Sequence, residues 1–284
     1  MAEVLLRRSA LGDVVLLGAV VGALDRPAVV THPAWVPLVR RMTGVGEVVP
    51  WGGALPEGRL VDLQGDRRAA AILGGRPVAA RIDKRPVARR LRLLGLGWGR
   101  PLVTQLYAEA CGVLPVDPPW FELPAGRRDT LILIPGAASP IKRWPVARFR
   151  ALAQRWEGPV VALGGPGEES MAEAVIAGLP AGEVIAGRGF DGALAALADG
   201  AVAVGGDTGL THLAAACGVP VVTLFGPTHP DDGFAGHRGE VVQRALACRP
   251  CTLHRRQRCW RGDHACMDLA LERVAEAMWR SAGS

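Results

Sequence analysis

Asp13 is the first residue whose type and setting suit bond-making chemistry. It closes the run Ser9-Ala10-Leu11-Gly12-Asp13, just after a short apolar stretch at the start of the chain. A carboxylate there either caps the helix beside it, a role worth about 0.5–2 kcal/mol, or stands at a cleft mouth as a general base, worth roughly a hundredfold or more in rate. Lys142 is the second candidate, in the loop Pro135-Gly136-Ala137-Ala138-Ser139-Pro140-Ile141-Lys142-Arg143-Trp144-Pro145. Small residues let a ligand approach the backbone, and a lysine beside them offers a compact positive charge to a phosphate. The plainer alternatives are a surface lysine and a tryptophan that only packs. The third candidate is Gly205-Gly206-Asp207-Thr208-Gly209-Leu210-Thr211-His212. A helix opening there has first N–H groups without intrahelical acceptors at the positive end of its dipole, which suits a diphosphate. Asp207 and Thr208 acting only as caps, with His212 packed inside, is the competing reading.

A fourth group is made of cysteines. Cys111 and Cys217 sit in helical patterns and are expected in the core, whereas Cys248, Cys251, Cys259 and Cys266 are separated by two, seven and six residues. Such spacing suits a tetrahedral structural zinc, with His254 and His264 as alternates. A redundant set of thiols is the second reading and a catalytic metal the last. Arg249, Arg255, Arg256, Arg258 and Arg261 make the same loop strongly basic.

The first three candidates follow β-rich runs, and the chain alternates strand and helix patterns. Val4–Leu6, Pro27–Thr31 and Leu60–Gln64 read as strands, Arg67–Leu73 as a helix, and the apolar run from Asp13 to Leu24 as a buried helix. The prolines, glycine and charges from Pro115 to Arg128 mark a linker. Alternation then resumes: strand Thr130–Ile134, helix Pro145–Trp156, strand Val160–Leu163, helix Glu168–Ala177, helix Asp191–Ala198, strand Ala201–Val204, helix Thr208–Cys217 and strand Val221–Phe225. An amphipathic helix from Asp268, its expected cap, to Arg280 ends the chain. Such alternation implies parallel sheets with right-handed crossovers, here in an α/β chain with two Rossmann-like halves. Ligands of such sheets bind beyond the carboxyl ends of strands, where the three candidates lie.

Composition narrows the function classes. With 49% hydrophobic and 21% charged residues, the 284-residue chain is globular and long enough for two domains. The longest plain apolar run, Val14 to Leu24, is too short to span a bilayer, and Asp13 and Asp25 bracket it. It reads as part of a cytoplasmic protein. The net charge of +6 is concentrated in residues 1–125. From residue 76 to 100, Arg76, Arg81, Lys84, Arg85, Arg89, Arg90, Arg92 and Arg100 face one acid, Asp83. This block is either a solvated face or a contact for an anionic partner. A zinc-bearing nucleic-acid-binding protein is the rival from a different class, but 5% aromatic content offers few stacking surfaces, and no nucleic acid is expected.

The stretch Asp207-Thr-Gly-Leu-Thr-His212, continuing to Phe225-Gly-Pro-Thr228, resembles the signature of glycosyltransferase family 9, the heptosyltransferases. Ser9–Asp13, Asp62-Leu-Gln-Gly65, Pro135-Gly-Ala137 and Lys142-Arg-Trp-Pro145 match that family in the same order. The resemblance implies a GT-B fold, two Rossmann-like domains facing a central cleft. Residues 1–125 would serve the acceptor, 126–266 would bind a nucleotide-sugar, and a helix in 267–284 would pack back toward the first domain. It further implies an inverting transfer of heptose from ADP-heptose to a lipopolysaccharide-core or related glycan, with Asp13 as base and Lys142 at the phosphates. Expected donor contacts are Ser139, Glu168 or Glu169, Asp207, Thr208, Gly209, Leu210, Thr211 and His212. Expected acceptor contacts are Gln64, Arg67, Arg68, Arg89 and Arg90. No catalytic cofactor is implied, and an anionic glycolipid acceptor would draw the protein to the inner face of the membrane. A sugar-nucleotide binder of the same fold without catalysis is the remaining alternative.

Overall fold

A computed structural model describes residues 2–84, 101–230, 239–252 and 256–283. In the first half, β1 (Glu3–Leu6), β2 (Ala28–Thr31), β3 (Val48–Pro50), β4 (Arg59–Asp62) and β5 (Ala80–Arg81) form one parallel sheet, ordered β3-β2-β1-β4-β5. In the second, β6 (Thr130–Ile134), β7 (Val160–Gly164), β8 (Gly182–Ala186), β9 (Gly200–Gly206), β10 (Val221–Phe225) and β11 (Gly239–Gln243) form another, ordered β11-β10-β9-β6-β7-β8. Both strand orders are Rossmann-like. Their topological switch points fall between β1 and β4 and between β6 and β9, where ligand crevices open in such sheets.

The strands read as apolar runs because both faces are covered. Alternate side chains go to opposite layers. Leu5, Val29 and Val61 of the first sheet share one buried cluster with Ile132, Ile134 and Ala203 of the second. The outer faces have separate cores: Val4, Leu6 and Val30 in the first half, and Leu131, Val202 and Val222 in the second. The middle core is therefore common to both domains, and it fixes the two switch points relative to each other.

Several expectations are corrected. The apolar run after Ser9 is two short buried helices, Leu11–Val15 and Gly18–Val21, not one helix opening at Asp13. The expected linker is a packed strap. Within it Trp120 and Phe121 are buried, the Trp120 N–H donates to Ala216 O in the second half at 2.7 Å, and the Trp120 carbonyl accepts from Thr43 N in the first at 2.9 Å. Strands β3, β5, β8 and β11 and helix Val36–Val39 were not legible in the sequence, and of helix Val103–Cys111 only the pattern around Cys111 was.

Among the described residues the last helix, Leu271–Ala282, lies against β9, β10, β11 and helix Val146–Ala153 of its own domain, where packing back toward the first was expected. Its buried Val274, Ala275, Ala277 and Met278 complete the core that holds Trp144 and Phe149, and Trp279 stacks on Trp156. That apolar stripe matches the uncovered outer face of the second sheet, so hydrophobic burial settles its docking. Ala270, not Asp268, is its N-cap residue. Asp268 instead pairs with Arg148 and Arg244.

Candidate active site

Asp13 is the third residue of helix Leu11–Val15, with Ala10 in the cap position. Because alanine has no oxygen to offer, the helix start is held from the other side: Asp13 Oδ2 accepts the Ala10 N–H at 3.2 Å. The same oxygen lies 2.6 Å from Arg7 Nη2, with the Asp13 side chain 30% exposed and that of Arg7 only 7%. Gln64 is buried behind this loop. Its Oε1 accepts from Arg8 N at 2.9 Å and Ser9 N at 3.3 Å, while its Nε2 donates to Asp66 Oδ2 at 2.9 Å. It thus ties the β1 loop to the β4 loop. Arg67 and Arg68 are exposed on the first turn of helix Arg67–Leu73, whose cap is Asp66.

Described members of the basic block are held by their own domain. Arg76 donates to Leu55 O and Pro56 O, both at 3.3 Å. Arg81 Nε pairs with buried Asp62 at 2.9 Å, and Lys84 Nζ donates to the Gln64 carbonyl. Arg85, Arg89, Arg90, Arg92 and Arg100 lie outside the described residues, as do His254 and Arg255.

Across the domain boundary, β9 delivers Asp207 and Thr208 to helix Gly209–Ala216, where Thr208 is the N-cap residue. Lys142, from the loop after β6, reaches Asp207: Nζ lies 2.6 Å from Oδ2 and donates to the backbone oxygen at 3.2 Å. Thr228 Oγ1 donates to Asp207 Oδ2 at 2.8 Å, and His212 Nε2 stands 3.7 Å from Oδ1. Asp207 is therefore an anchor for the β6, β9 and β10 loops and not merely a cap. Thr208 makes no side-chain cap bond; its Oγ1 lies 3.2 Å from Thr211 Oγ1. Leu210 packs on the shared core, and Ser139 Oγ donates to Arg256 O at 2.6 Å.

The two acids after β7 part ways. Glu168 Oε2 accepts the Gly165 N–H at 2.8 Å, and its carboxylate fills the space where a side chain on Gly136 would stand, 2.1 Å from an ideal Cβ. It therefore faces the loops after β6 and β7. Glu169 leans to the other side, accepting from Gly167 N at 3.2 Å and lying against Gly187.

The halves meet where two glycines permit it. A Cβ on Gly12 would lie 2.7 Å from the His212 ring, and one on Gly209 would lie 2.8 Å from Leu11. The N-terminal ends of helices Leu11–Val15 and Gly209–Ala216 thus abut, which brings the Asp13 loop to the end of the Asp207–His212 segment.

Among the described residues, no group of three or more His, Cys, Asp or Glu side chains is arranged to hold a metal ion. Cys248, Cys251 and Cys259 all act electrostatically on Cys266. Burial and the adjacent thiols push Cys266 up to about 11. Burial works against the Cys259 thiolate, but N–H groups of His264, Arg261 and Gly262 directed at its sulfur together outweigh it and bring its pKa below the usual thiol value. Cys111 and Cys217 are buried core thiols, each pushed up to about 12 chiefly by burial.

Sequence reasoning missed Arg7, Tyr107 and Thr228. No spacing in the sequence links Arg7 to Asp13. Thr228 stood within the family-like stretch but carried no role.

Residues 103–259, more than half of the chain, match the model of glycosyltransferase family 9 (heptosyltransferase). The chain is 38% identical over 128 residues to lipopolysaccharide heptosyltransferase 1 of Pseudomonas aeruginosa, covering 43% of this chain and 36% of that protein. It is 28% identical over 165 residues to the Escherichia coli K12 protein of the same name, covering 57% and 48%. The chain thus spans less than half the length of the curated relatives it matches. Its fold is similar to that of E. coli ADP-heptose lps heptosyltransferase II, with a TM-score of 0.74, 20% identity and coverage of 99% and 98%. A family 9 glycosyl transferase from Veillonella parvula gives 0.75 at 16% identity, covering 99% and 97%. These likenesses give the architecture as GT-B. The family match contains Lys142, Glu168 and Asp207–His212, and the fold likeness extends over the Asp13 half as well. By its matched segment the chain belongs to glycosyltransferase family 9.

Proposed function

We propose that the chain is an inverting glycosyltransferase that moves heptose from ADP-heptose to a lipopolysaccharide-core or related glycan. The observation that carries this reading is the meeting of Asp13 with the Asp207–His212 helix end, beside Lys142. Asp13 takes the proton from an acceptor hydroxyl as its oxygen bonds to the anomeric carbon of the donor. The bond from that carbon to the diphosphate breaks on the opposite face, and the departing nucleotide diphosphate carries the electron pair. Lys142, Thr208, Thr211 and the free N–H groups at the start of helix Gly209–Ala216 meet that charge. Glu168, facing the loops after β6 and β7, is the residue assigned to the nucleoside ribose; Glu169 points away. Ser139, Gly209, Leu210 and His212 shape the donor pocket around these groups.

On the acceptor side, Arg67 and Arg68 are exposed cations opening the helix after the β4 loop, and Gln64 of that loop positions the Asp13 loop. Arg89 and Arg90 are proposed to join them on an anionic glycan or glycolipid, with the protein working in the cytoplasm at the inner membrane face. No helix among the described residues is long and apolar enough to cross a membrane.

Thermal-shift titration with ADP-heptose, GDP-sugars and UDP-sugars tests the donor. At about 100 times its dissociation constant the correct donor adds about 2.7 kcal/mol of stability. ADP-heptose is expected to raise the melting temperature most. A larger shift with a GDP- or UDP-sugar would replace the donor named here.

Zinc on Cys248, Cys251, Cys259 and Cys266 is a separate proposal, resting on their spacing and mutual electrostatic reach. Binding would require the thiols to close from their present arrangement, with no part in the transfer. Purified protein is then expected to contain about one zinc per chain, and Cys251→Ser to lower the melting temperature before it weakens donor binding. Four titratable thiols in metal-free protein of unchanged stability would end that proposal.

A further inference from the structure

Arg7 follows β1 directly and is 6% exposed. Its Nη2 lies 2.6 Å from Asp13 Oδ2, its Nη1 donates to Leu63 O at 2.6 Å, and its guanidinium carbon stands 5.7 Å from the centre of the Tyr107 ring. Tyr107 is fully buried, and its hydroxyl donates to the backbone oxygen of Asp13 at 3.0 Å. The carboxylate and the main chain of Asp13 are thus gripped separately, one from the end of β1 and the other from helix Val103–Cys111.

As a stabilising device this arrangement is poor. A buried cation loses several kcal/mol of solvation, and its partner carboxylate is 30% exposed, where screening weakens the attraction. Arg7 Nε is buried without a hydrogen-bond partner, a further cost. An apolar side chain at position 7 would fill the same space at less expense. We infer that Arg7 is a positioning residue for the proposed transfer, holding the Asp13 carboxylate oriented at the domain boundary, with Tyr107 fixing the backbone beneath it.

The groups around Asp13 are consistent with that role. Burial works against the Arg7 charge, but the facing groups, the Asp13 carboxylate among them, outweigh it, so its pKa is raised and it stays protonated. Lys84 also faces Asp13, yet burial and the nearby Arg7 charge lower its pKa, and its ammonium is already committed to the Gln64 carbonyl. Asp66 faces Arg7 and Lys84 from the helix cap. Burial raises the Tyr107 pKa far enough that it stays a neutral donor. From the second domain, the His212 ring meets the loop at Gly12. Arg7 is thus a permanent cation paired with the carboxylate, and its two arms let one side chain fix both Asp13 and the β4 loop.

This inference rests on the reading of Asp13 as the base, and its test needs no substrate for one of its two readouts. With 13C-labelled aspartate, NMR titration follows the Asp13 carboxyl, identified by its loss in Asp13→Asn; turnover is measured in parallel. Arg7→Gln keeps a donor for Leu63 O and removes the charge. It is expected to move the Asp13 titration to higher pH, since an opposite charge favours ionisation, and to lower turnover about 10- to 100-fold through lost orientation. Arg7→Lys keeps the buried charge paired. It is expected to hold the Asp13 titration near its wild-type position while still lowering turnover, because one donor centre replaces two. An unmoved titration with full turnover in Arg7→Gln, or full turnover in Arg7→Lys, would overturn the positioning role. An active Asp13→Asn would instead remove the base reading itself. An inactive Asp13→Asn beside a fully active Arg7→Gln would remove only this inference.

Discussion

Asp13→Asn is expected to lower turnover at least a hundredfold while folding and donor binding are preserved. Asparagine can still accept the Ala10 N–H that holds the start of helix Leu11–Val15, so the local structure keeps its bond. What it cannot do is take a proton. A general base contributes typically about 10²–10⁴ in rate, which is about 3–5 kcal/mol of barrier at about 1.36 kcal/mol per decade. Were Asp13 only a helix-start residue, its loss would cost about 1 kcal/mol of stability and little rate. Arg7 loses its counter-ion in the variant, but the Asp13 side chain is part exposed, so water supplies partial compensation and the fold survives. Steady-state kinetics with calorimetric donor binding separate the two roles. Near-wild-type turnover would leave the proposed mechanism without its base.

Lys142→Ala is expected to lower kcat about 10²–10³-fold and to weaken donor binding as well. Its ammonium is fixed 2.6 Å from Asp207, with both side chains about seven-eighths buried. A preorganised charge in a partly dry site costs little to reorient when charge builds on a leaving group, and removing one such donor typically has an effect of about this size. Asp207 keeps Thr228 and His212 as neighbours, so the loop retains partners and the variant is expected to fold. The donor dissociation constant distinguishes the two variants. It should rise in Lys142→Ala and stay unchanged in Asp13→Asn, since Asp13 lies in the first domain, the side proposed to hold the acceptor. An equal loss of donor affinity in both would contradict this division of labour.

The sequence by itself determined the strands at the centre of each sheet and the loops that follow them. Thr130–Ile134 and Val221–Phe225 are found with the boundaries their apolar runs suggested, and Arg67–Leu73 is the helix its pattern marked. These segments are buried on both faces or carry their own start signals, so local chemistry suffices. The placement of Asp13, Lys142 and Asp207–His212 just after strands was legible for the same reason, since small residues mark the turns at the carboxyl ends of Rossmann-like strands.

Only the tertiary structure decided what those residues touch. Edge strands such as β5, two residues long, and β11, half exposed, carry too little burial to leave a pattern. Which of Glu168 and Glu169 faces the loops after β6 and β7 depends on the empty space above Gly136, a contact between residues more than thirty positions apart. The terminal helix showed its apolar stripe but not its target, because hydrophobic burial has no address until the uncovered face of the second sheet exists. The pairing of Arg7 with Asp13, and of Lys142 with Asp207, arises when strands distant in sequence are brought side by side. Charge pairing depends on distance in space, and only the packed sheets and their shared core set that distance.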